Sequence, residues 1–214
     1  MEKNSDKILA LLTEAYPNVK PALNFRNPYE TLIATMLSAQ STDKQVNKVT
    51  PKLFNDFPTV EALASSTPEI VYPYVKSCGF KSKAKNIVLA AQKIMSDFNG
   101  KVPDNHKDLT SLPGVGIKTA DVVLSHAFNV PAIAVDTHVF RVSNRLKLAD
   151  ADTVEKTRAQ LMELIPKADW SAMHLRLIEH GRQICKARNP LCEECPLKEL
   201  CPEYKNNYKK IGEL

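Results

Sequence analysis

Apolar residues recur three and four positions apart through nearly the whole chain, a period that predicts helices and not strands. Ile8, Leu11, Leu12 and Ala15 mark a helix from Met1 to Tyr16 that stops before Pro17. Asn27-Pro28 reads as a cap followed by a first-turn proline and opens a helix over 29–39, with Leu32, Ile33, Met36 and Leu37 on its buried side. Thr42-Asp43, Thr59 and Thr67-Pro68-Glu69 open three more helices by the same signals. The pattern then predicts a helix from Phe80 to Phe98 that ends near Gly100, a helical pair about Gly114 and Gly116, and helices over 136–146, 153–165 and 170 to about 187. Only Pro131 to Val135 reads as extended, too short to imply a sheet. The fold class is therefore all-α. No repeat, low-complexity segment or flexible linker marks a domain boundary.

One stretch breaks the helical period in a telling way. Leu112-Pro113-Gly114-Val115-Gly116 spends two of the chain's six glycines beside a proline and runs straight into the helical pattern from Ile117 to Leu124. That is a tight turn feeding a helix N-terminus. Exposed amides around Gly114, Val115 and Gly116 suit an anion, and the positive end of the helix dipole adds to this, so one phosphate of a nucleic-acid strand fits. On the helix, Ile117, Ala120, Leu124, Ala127 and Phe128 make the buried face, while Lys118, Asp121 and Ser125 share another. Lys118 reads either as a solvated cation that touches phosphate or as a nucleophile, because the dipole and partial burial disfavour an ammonium and a neutral amine can form a Schiff base. Asp121, one turn later, would work against the second reading by holding the ammonium charged.

Composition narrows the class. At 214 residues the chain can form one large or two small domains. The net charge is only +5, yet Val75 to Lys118 holds eight lysines against three aspartates and accounts for all of it. Lys81, Lys83 and Lys85 within that segment suit an electrostatic footprint on a polyanion, although solvated helix faces explain many such runs. No apolar run reaches transmembrane length, and Ile8 to Leu12 is bracketed by charge, so the chain is expected to be soluble and cytoplasmic, with no membrane partner.

Four of five cysteines, Cys185, Cys192, Cys195 and Cys201, lie within seventeen residues. Without a secretory signal a thiolate metal site is the better reading than disulfides, and softness alone admits zinc or an iron–sulfur cluster. Cys78 stands apart and reads as a small buried hydrophobe. Lys186 and Arg188 in the loop either meet phosphates or offset cluster charge. Asp136 follows the apolar run 132–135 and precedes a helix, which makes it an N-cap that stays ionised and can also stabilise positive charge or accept a proton. Gln40 reads as a helix-end residue.

Leu112 to Leu124 together with Val135-Asp136-Thr137-His138-Val139-Phe140-Arg141-Val142 resembles the helix-hairpin-helix DNA glycosylases of the endonuclease III type, and Leu37-Ser38-Ala39-Gln40 and the terminal cysteines extend the likeness over roughly residues 5 to 205. The resemblance implies a six-helix domain over about 22–131, a second domain from 1–21 plus 132–214, and a cleft between them. It implies a [4Fe-4S] cluster on Cys185, Cys192, Cys195 and Cys201, with Lys118 as nucleophile and Asp136 as its partner. Gln40 matches the family's gap-filling glutamine, whereas Gly79-Phe80-Lys81-Ser82-Lys83 is one residue shorter than the family loop that carries a companion wedge. Lys81, Lys83 and His138 complete the expected DNA contacts. The implied activity is removal of oxidised pyrimidines from damaged or abasic double-stranded DNA, by a monomer, through a Schiff base and β-elimination. A pyrimidine-dimer or mismatch glycosylase of the same fold, and a non-catalytic cluster-bearing DNA-binding module, are the alternatives.

Overall fold

Helix starts are written in side chains. Asn27, Thr42, Thr59, Asn105, Asp136 and Thr153 each stand in extended backbone and accept an amide of the following first turn, which satisfies a donor that has no partner inside the helix. Thr67 differs, making no such bond and leaving the start to Pro68. The structure, a computed structural model, describes residues 2–207; Met1 of the expected first helix and residues 208–214 of the expected second domain lie outside the described residues. Twelve α-helices and no strand occur among the described residues: α1 (Glu2–Ala15), α2 (Pro28–Ser38), α3 (Asp43–Asp56), α4 (Val60–Ala64), α5 (Pro68–Val75), α6 (Lys81–Phe98), α7 (His106–Thr110), α8 (Ile117–Phe128), α9 (Thr137–Arg145), α10 (Val154–Leu164), α11 (Trp170–Gln183) and α12 (Pro202–Asn207).

The described residues pack as two units, one of residues 21–130 and one of residues 2–20 with 131–207. In the first, α2 is the central element: every residue from Tyr29 to Leu37 is buried, and α2 packs against α3, α6 and α8. Its one buried acid, Glu30, is held by the backbone amide of Arg26 at 2.8 Å and by the Arg26 guanidinium at 2.5 Å. Helix α6, with Ile87, Val88, Ala91 and Ile94 buried, packs against α4 and α5, and stops at Asn99 in the left-handed region just before Gly100. Truncating a fully buried leucine such as Leu32 to alanine would cost about 2–5 kcal/mol, because transfer and cavity terms add.

In the second unit, Leu12, Ile133, Val139, Val142, Leu161 and Leu177 form the core. Helix α9 lies close on α11, and Gly181 permits it: a Cβ there would stand 3.0 Å from the His138 Cβ and 3.1 Å from a Val142 methyl. Helix α11 stops at Gln183, about four residues earlier than the period predicts. The amides of Ile184 and Cys185 both return to the His180 carbonyl, and the chain turns there into the cysteine loop.

Candidate nucleic-acid interface and metal centre

Helices α7 and α8 form a hairpin whose turn is set by Gly114, at φ +76, where a Cβ would meet the Asn86 side chain at 2.7 Å. Gly116 is different. Its backbone is ordinary, at φ −93, and a Cβ would meet nothing within 4 Å. As N-cap it offers no side chain, so the first-turn amides of α8 are left for an outside acceptor. Val115 does not belong with them: its N–H donates to the Leu112 carbonyl at 3.1 Å and its side chain is buried, so its expected contact with phosphate is withdrawn.

Lys118 is exposed in the first turn of α8. The expected faces of this helix need correction at two places. Ile117, assigned to the buried face, is half exposed at the rim of the turn, while Asp121 and Ser125, grouped with Lys118, are buried. Asp121 lies 3.6 Å from His106 of α7, so its surroundings differ from those of the exposed lysine one turn earlier.

Gln40 is exposed just beyond α2 with φ 55, a left-handed backbone seldom adopted outside glycine and asparagine. Phe80, before α6, is 66% exposed, more than any other large apolar side chain among the described residues. Lys81 is exposed as well, its ammonium 5.7 Å from the centre of the Tyr72 ring. Lys83 overturns its assignment as a phosphate contact. It is only 9% exposed, and its ammonium donates to the carbonyls of Leu37 at 2.7 Å and Cys78 at 2.5 Å, with burial pulling its pKa down. A Ser41–Cys78 side-chain hydrogen bond joins the same two loops, and the Gln45 amide of α3 donates to the Ser77 hydroxyl at 2.7 Å. Neither the exposure of Phe80 nor the inward turn of Lys83 left a signal in sequence periodicity, since both sit at a helix start where the buried face is not yet defined.

In the other unit Asp136 caps α9. Its Oδ1 accepts the amides of His138 and Val139, each at 2.8 Å, and its Oδ2 lies 3.3 Å from the His138 Nδ1. The apolar run before it, Ala132 to Val135, is buried and forms no strand, so the carboxylate is delivered from a fixed segment. His138 is thereby committed in part to Asp136, with about a third of its side chain exposed.

Cys185, Cys192, Cys195 and Cys201 are free thiols lining one cavity with Arg145, His180, Ile184 and Tyr204. Burial, and then the neighbouring thiols, push Cys195 up to about 11; Cys192 and Cys201 are raised for the same reasons. Four thiolates sharing such a space need positive charge among them, which a metal group supplies. Donors already face these sulfurs: Arg145 Nη1 at 3.5 Å from Cys185 and the Leu197 amide at 3.4 Å from Cys195. Among the described residues no three His, Cys, Asp or Glu side chains lie close enough together to hold a single ion. A donor set spread about a cavity fits an iron–sulfur cluster better than mononuclear zinc.

Comparison with known proteins agrees with both halves of this picture. Residues 33–167 match the HhH-GPD superfamily base excision DNA repair proteins, and residues 185–201 match the iron–sulfur binding domain of endonuclease III. Endonuclease III of Bacillus subtilis is 44% identical over 210 residues, covering 97% of this chain and 96% of that protein. The Escherichia coli K12 enzyme is 44% identical over 93% of this chain and 94% of its own length. Among solved structures, a trapped covalent intermediate of an endonuclease III with DNA superposes with a TM-score of 0.92 at 43% identity, covering 99% of each chain. A thermostable thymine-DNA glycosylase superposes with a TM-score of 0.85 at 26% identity, over 95% of this chain and 97% of that one. The chain belongs to the endonuclease III family of the helix-hairpin-helix base excision DNA repair proteins, the DNA glycosylase/AP lyases that carry an iron–sulfur cluster.

Proposed function

We propose that this glycosylase/AP lyase removes oxidised pyrimidines, with Lys118 as the nucleophile and Asp136 as its acid–base and electrostatic partner. The Lys118 amine attacks the sugar C1′; the bond to the base breaks, and the base leaves with the electron pair and takes up a proton. Asp136 stabilises positive charge at C1′ and accepts the proton that the attacking amine sheds. The sugar ring then opens: the nitrogen lone pair forms the C=N bond as the C1′–O4′ bond breaks, O4′ takes up a proton, and the resulting protonated imine acidifies the C2′ hydrogen. Loss of that proton drives breakage of the C3′–O bond, and the 3′ phosphate departs with the electrons. The assignment of both residues to one reaction rests on the family resemblance, and it is supported by the covalent DNA intermediate of the 43% identical relative.

The supporting observation on this chain is an exposed lysine in the first turn of a helix that follows a glycine turn with uncapped amides. A phosphate held on those amides would bring a DNA strand alongside Lys118. Such chemistry needs the nucleotide out of the duplex, and the gap it leaves calls for a filler. Gln40 and Phe80 take that role here, Phe80 replacing the wedge that the shortened 79–83 loop lacks; Lys81 is the phosphate contact of this loop. Cys185, Cys192, Cys195 and Cys201 are the cluster ligands, and the bound cluster supplies a rigid positive centre that ties the loop together. The protein acts on damaged or abasic duplex as a monomer.

Sodium borohydride reduces an imine to a stable amine and so links the protein to DNA. The expected result is a covalent complex on duplex bearing thymine glycol or an abasic site, lost in Lys118→Gln while binding is retained. Undiminished trapping by the variant would remove Lys118 from this role, and efficient trapping on abasic DNA with no excision of any oxidised pyrimidine would remove the substrate class.

A further inference from the structure

Behind the cysteine loop lies a buried polar pair for which neither DNA binding nor base excision has a use. Tyr16, at the end of α1, places its hydroxyl 3.0 Å from the Nδ1 of His180 on α11, and the His180 Nε2 lies 3.7 Å from the Cys195 sulfur. The histidine is only 1% exposed and the tyrosine 9%. Their rings meet edge to face at 5.8 Å. A leucine and a phenylalanine of similar volume would fill this space without the cost of burying three polar atoms.

We propose that Tyr16 and His180 form a relay that sets the electronic state of the iron–sulfur cluster, with His180 donating Nε2–H to the Cys195 sulfur and Tyr16 fixing the tautomer that makes this possible. The inference rests on the ligand role of Cys195 given above. A cluster-bound cysteine sulfur carries no proton, so a nitrogen in hydrogen-bonding contact with it must be the donor. A neutral imidazole has one N–H to give. With that N–H on Nε2, Nδ1 is a bare acceptor, and the Tyr16 hydroxyl donates to it. Burial pushes Tyr16 up to about 12, so its proton stays in place through the physiological range. The histidine thus behaves as the outer partner of a metal ligand, with its own orientation held by a third group.

The consequence is directional. A donor to a ligating sulfur draws off negative charge and favours the electron-richer member of a cluster's redox couple, which raises the midpoint potential. Cys195 then receives two donors, the Leu197 amide at 3.4 Å and the imidazole, of which only the second is a side chain that substitution can remove. Tyr16 is a positioning residue acting through His180.

Wild-type holoprotein, Tyr16→Phe, His180→Phe and His180→Gln are compared with their clusters in place. Iron and sulfide analysis reports occupancy, voltammetry of adsorbed protein reads the midpoint potential with the electrode as electron source, and electron–nuclear double resonance in H₂O and D₂O reads exchangeable protons near the sulfurs. His180→Phe is expected to lie at a more negative potential and to lose one exchangeable-proton coupling. His180→Gln, which keeps an N–H donor, recovers part of the shift, and Tyr16→Phe moves the same way by less. If His180→Phe fails to assemble, Tyr16→Phe decides alone, since it leaves the ring and the packing in place. Full iron content with wild-type potential and wild-type proton couplings in Tyr16→Phe overturns the relay. Wild-type protein without iron and sulfide overturns the ligand assignment beneath it as well, so the two failures are told apart.

Discussion

The Lys83 ammonium, near the start of α6, reaches the carbonyl oxygen of Leu37 in the last turn of α2 at 2.7 Å. With its second bond to Cys78, it fastens the loop after α2 to the loop before α6. Gln40 stands three residues past one of these anchors and Phe80 two past the other. A cation drawn from the basic segment is therefore spent on architecture, and the two exposed side chains proposed to enter the duplex are set in fixed relation to each other.

Replacing Lys83 with Met keeps the aliphatic stem and leaves two carbonyls without their donor, at about 1–3 kcal/mol of stability. Because the ammonium faces inward, the slope of log affinity against log salt should not change in Lys83→Met. Lys81→Ala should flatten it by about 0.9, since one phosphate would no longer be neutralised. Salt titrations of binding to undamaged duplex measure both. A slope reduced equally by the two substitutions would return Lys83 to the surface.

The hairpin glycines separate by conformation. Gly114→Ala forces a side chain into the left-handed region and onto Asn86, so it should destabilise the first unit by more than the roughly 1 kcal/mol of the conformational penalty alone. Gly116→Ala meets no neighbour and adopts an ordinary φ, so folding and cluster content should be unaffected. Its methyl would crowd only a ligand on the turn. Affinity for damaged and undamaged duplex should fall by the same factor, because phosphate contacts position a protein without reading bases. Thermal melts and binding isotherms test the pair, and wild-type DNA affinity in Gly116→Ala would show that no strand rests on this turn.

Phe80 tests the gap-filling reading. A base stacked on an aromatic side chain is worth about 1–3 kcal/mol, so Phe80→Ala should slow single-turnover excision by roughly ten- to hundredfold if the stack forms only with the nucleotide extruded. Cleavage at a preformed abasic site, where one stacking partner is already missing, should suffer less. Phe80→Trp should stay near wild type. Equal rates for wild type and Phe80→Ala on a damaged base would leave the exposed ring without this role.

Helix positions were legible because their causes are local. A capping side chain, a first-turn proline and a three-to-four spacing act within one turn of sequence, so the starts at Asn27, Thr42, Thr59, Asp136 and Thr153 are all read correctly. What could not be read was direction. Lys83 and Lys81 are two residues apart in one basic run, and nothing in their spacing says that one points to the backbone of α2 and the other to solvent. Ile117 failed for a related reason: at the first position of a helix the neighbour that would cover it is absent. The Tyr16–His180 pair joins residues 164 apart, a relation no periodicity encodes. The glycine turn was a weak signal alone and became a strong one only in combination with the cysteine spacing and the segment around Asp136, because chemistry demands residue type at fixed positions in all three.

His126 supplies a pH test that lies apart from the reaction. The ring is mostly buried against Phe25, stacked at 6.0 Å with planes 13° apart, and burial lowers its pKa from the usual 6.5 to about 4. In the unfolded chain the imidazole takes up a proton near pH 6.5, while in the folded chain it refuses one until about pH 4. Between these values the unfolded state holds more protons, so stability must fall as pH falls; it is fully present above the unfolded pKa. At about 1.4 kcal/mol for each unit of separation the whole window is worth roughly 3 kcal/mol at most. Urea unfolding of the wild type at pH 7.0 and near pH 4.5 contains this loss together with any acid damage to the cluster, so the informative quantity is the difference from His126→Leu, which keeps the apolar contact and cannot titrate. The variant should lose distinctly less stability over the same interval, by about 2 kcal/mol. An identical acid loss in both proteins would mean that His126 is protonated in the folded state, and that the buried stack on Phe25 does not hold it neutral.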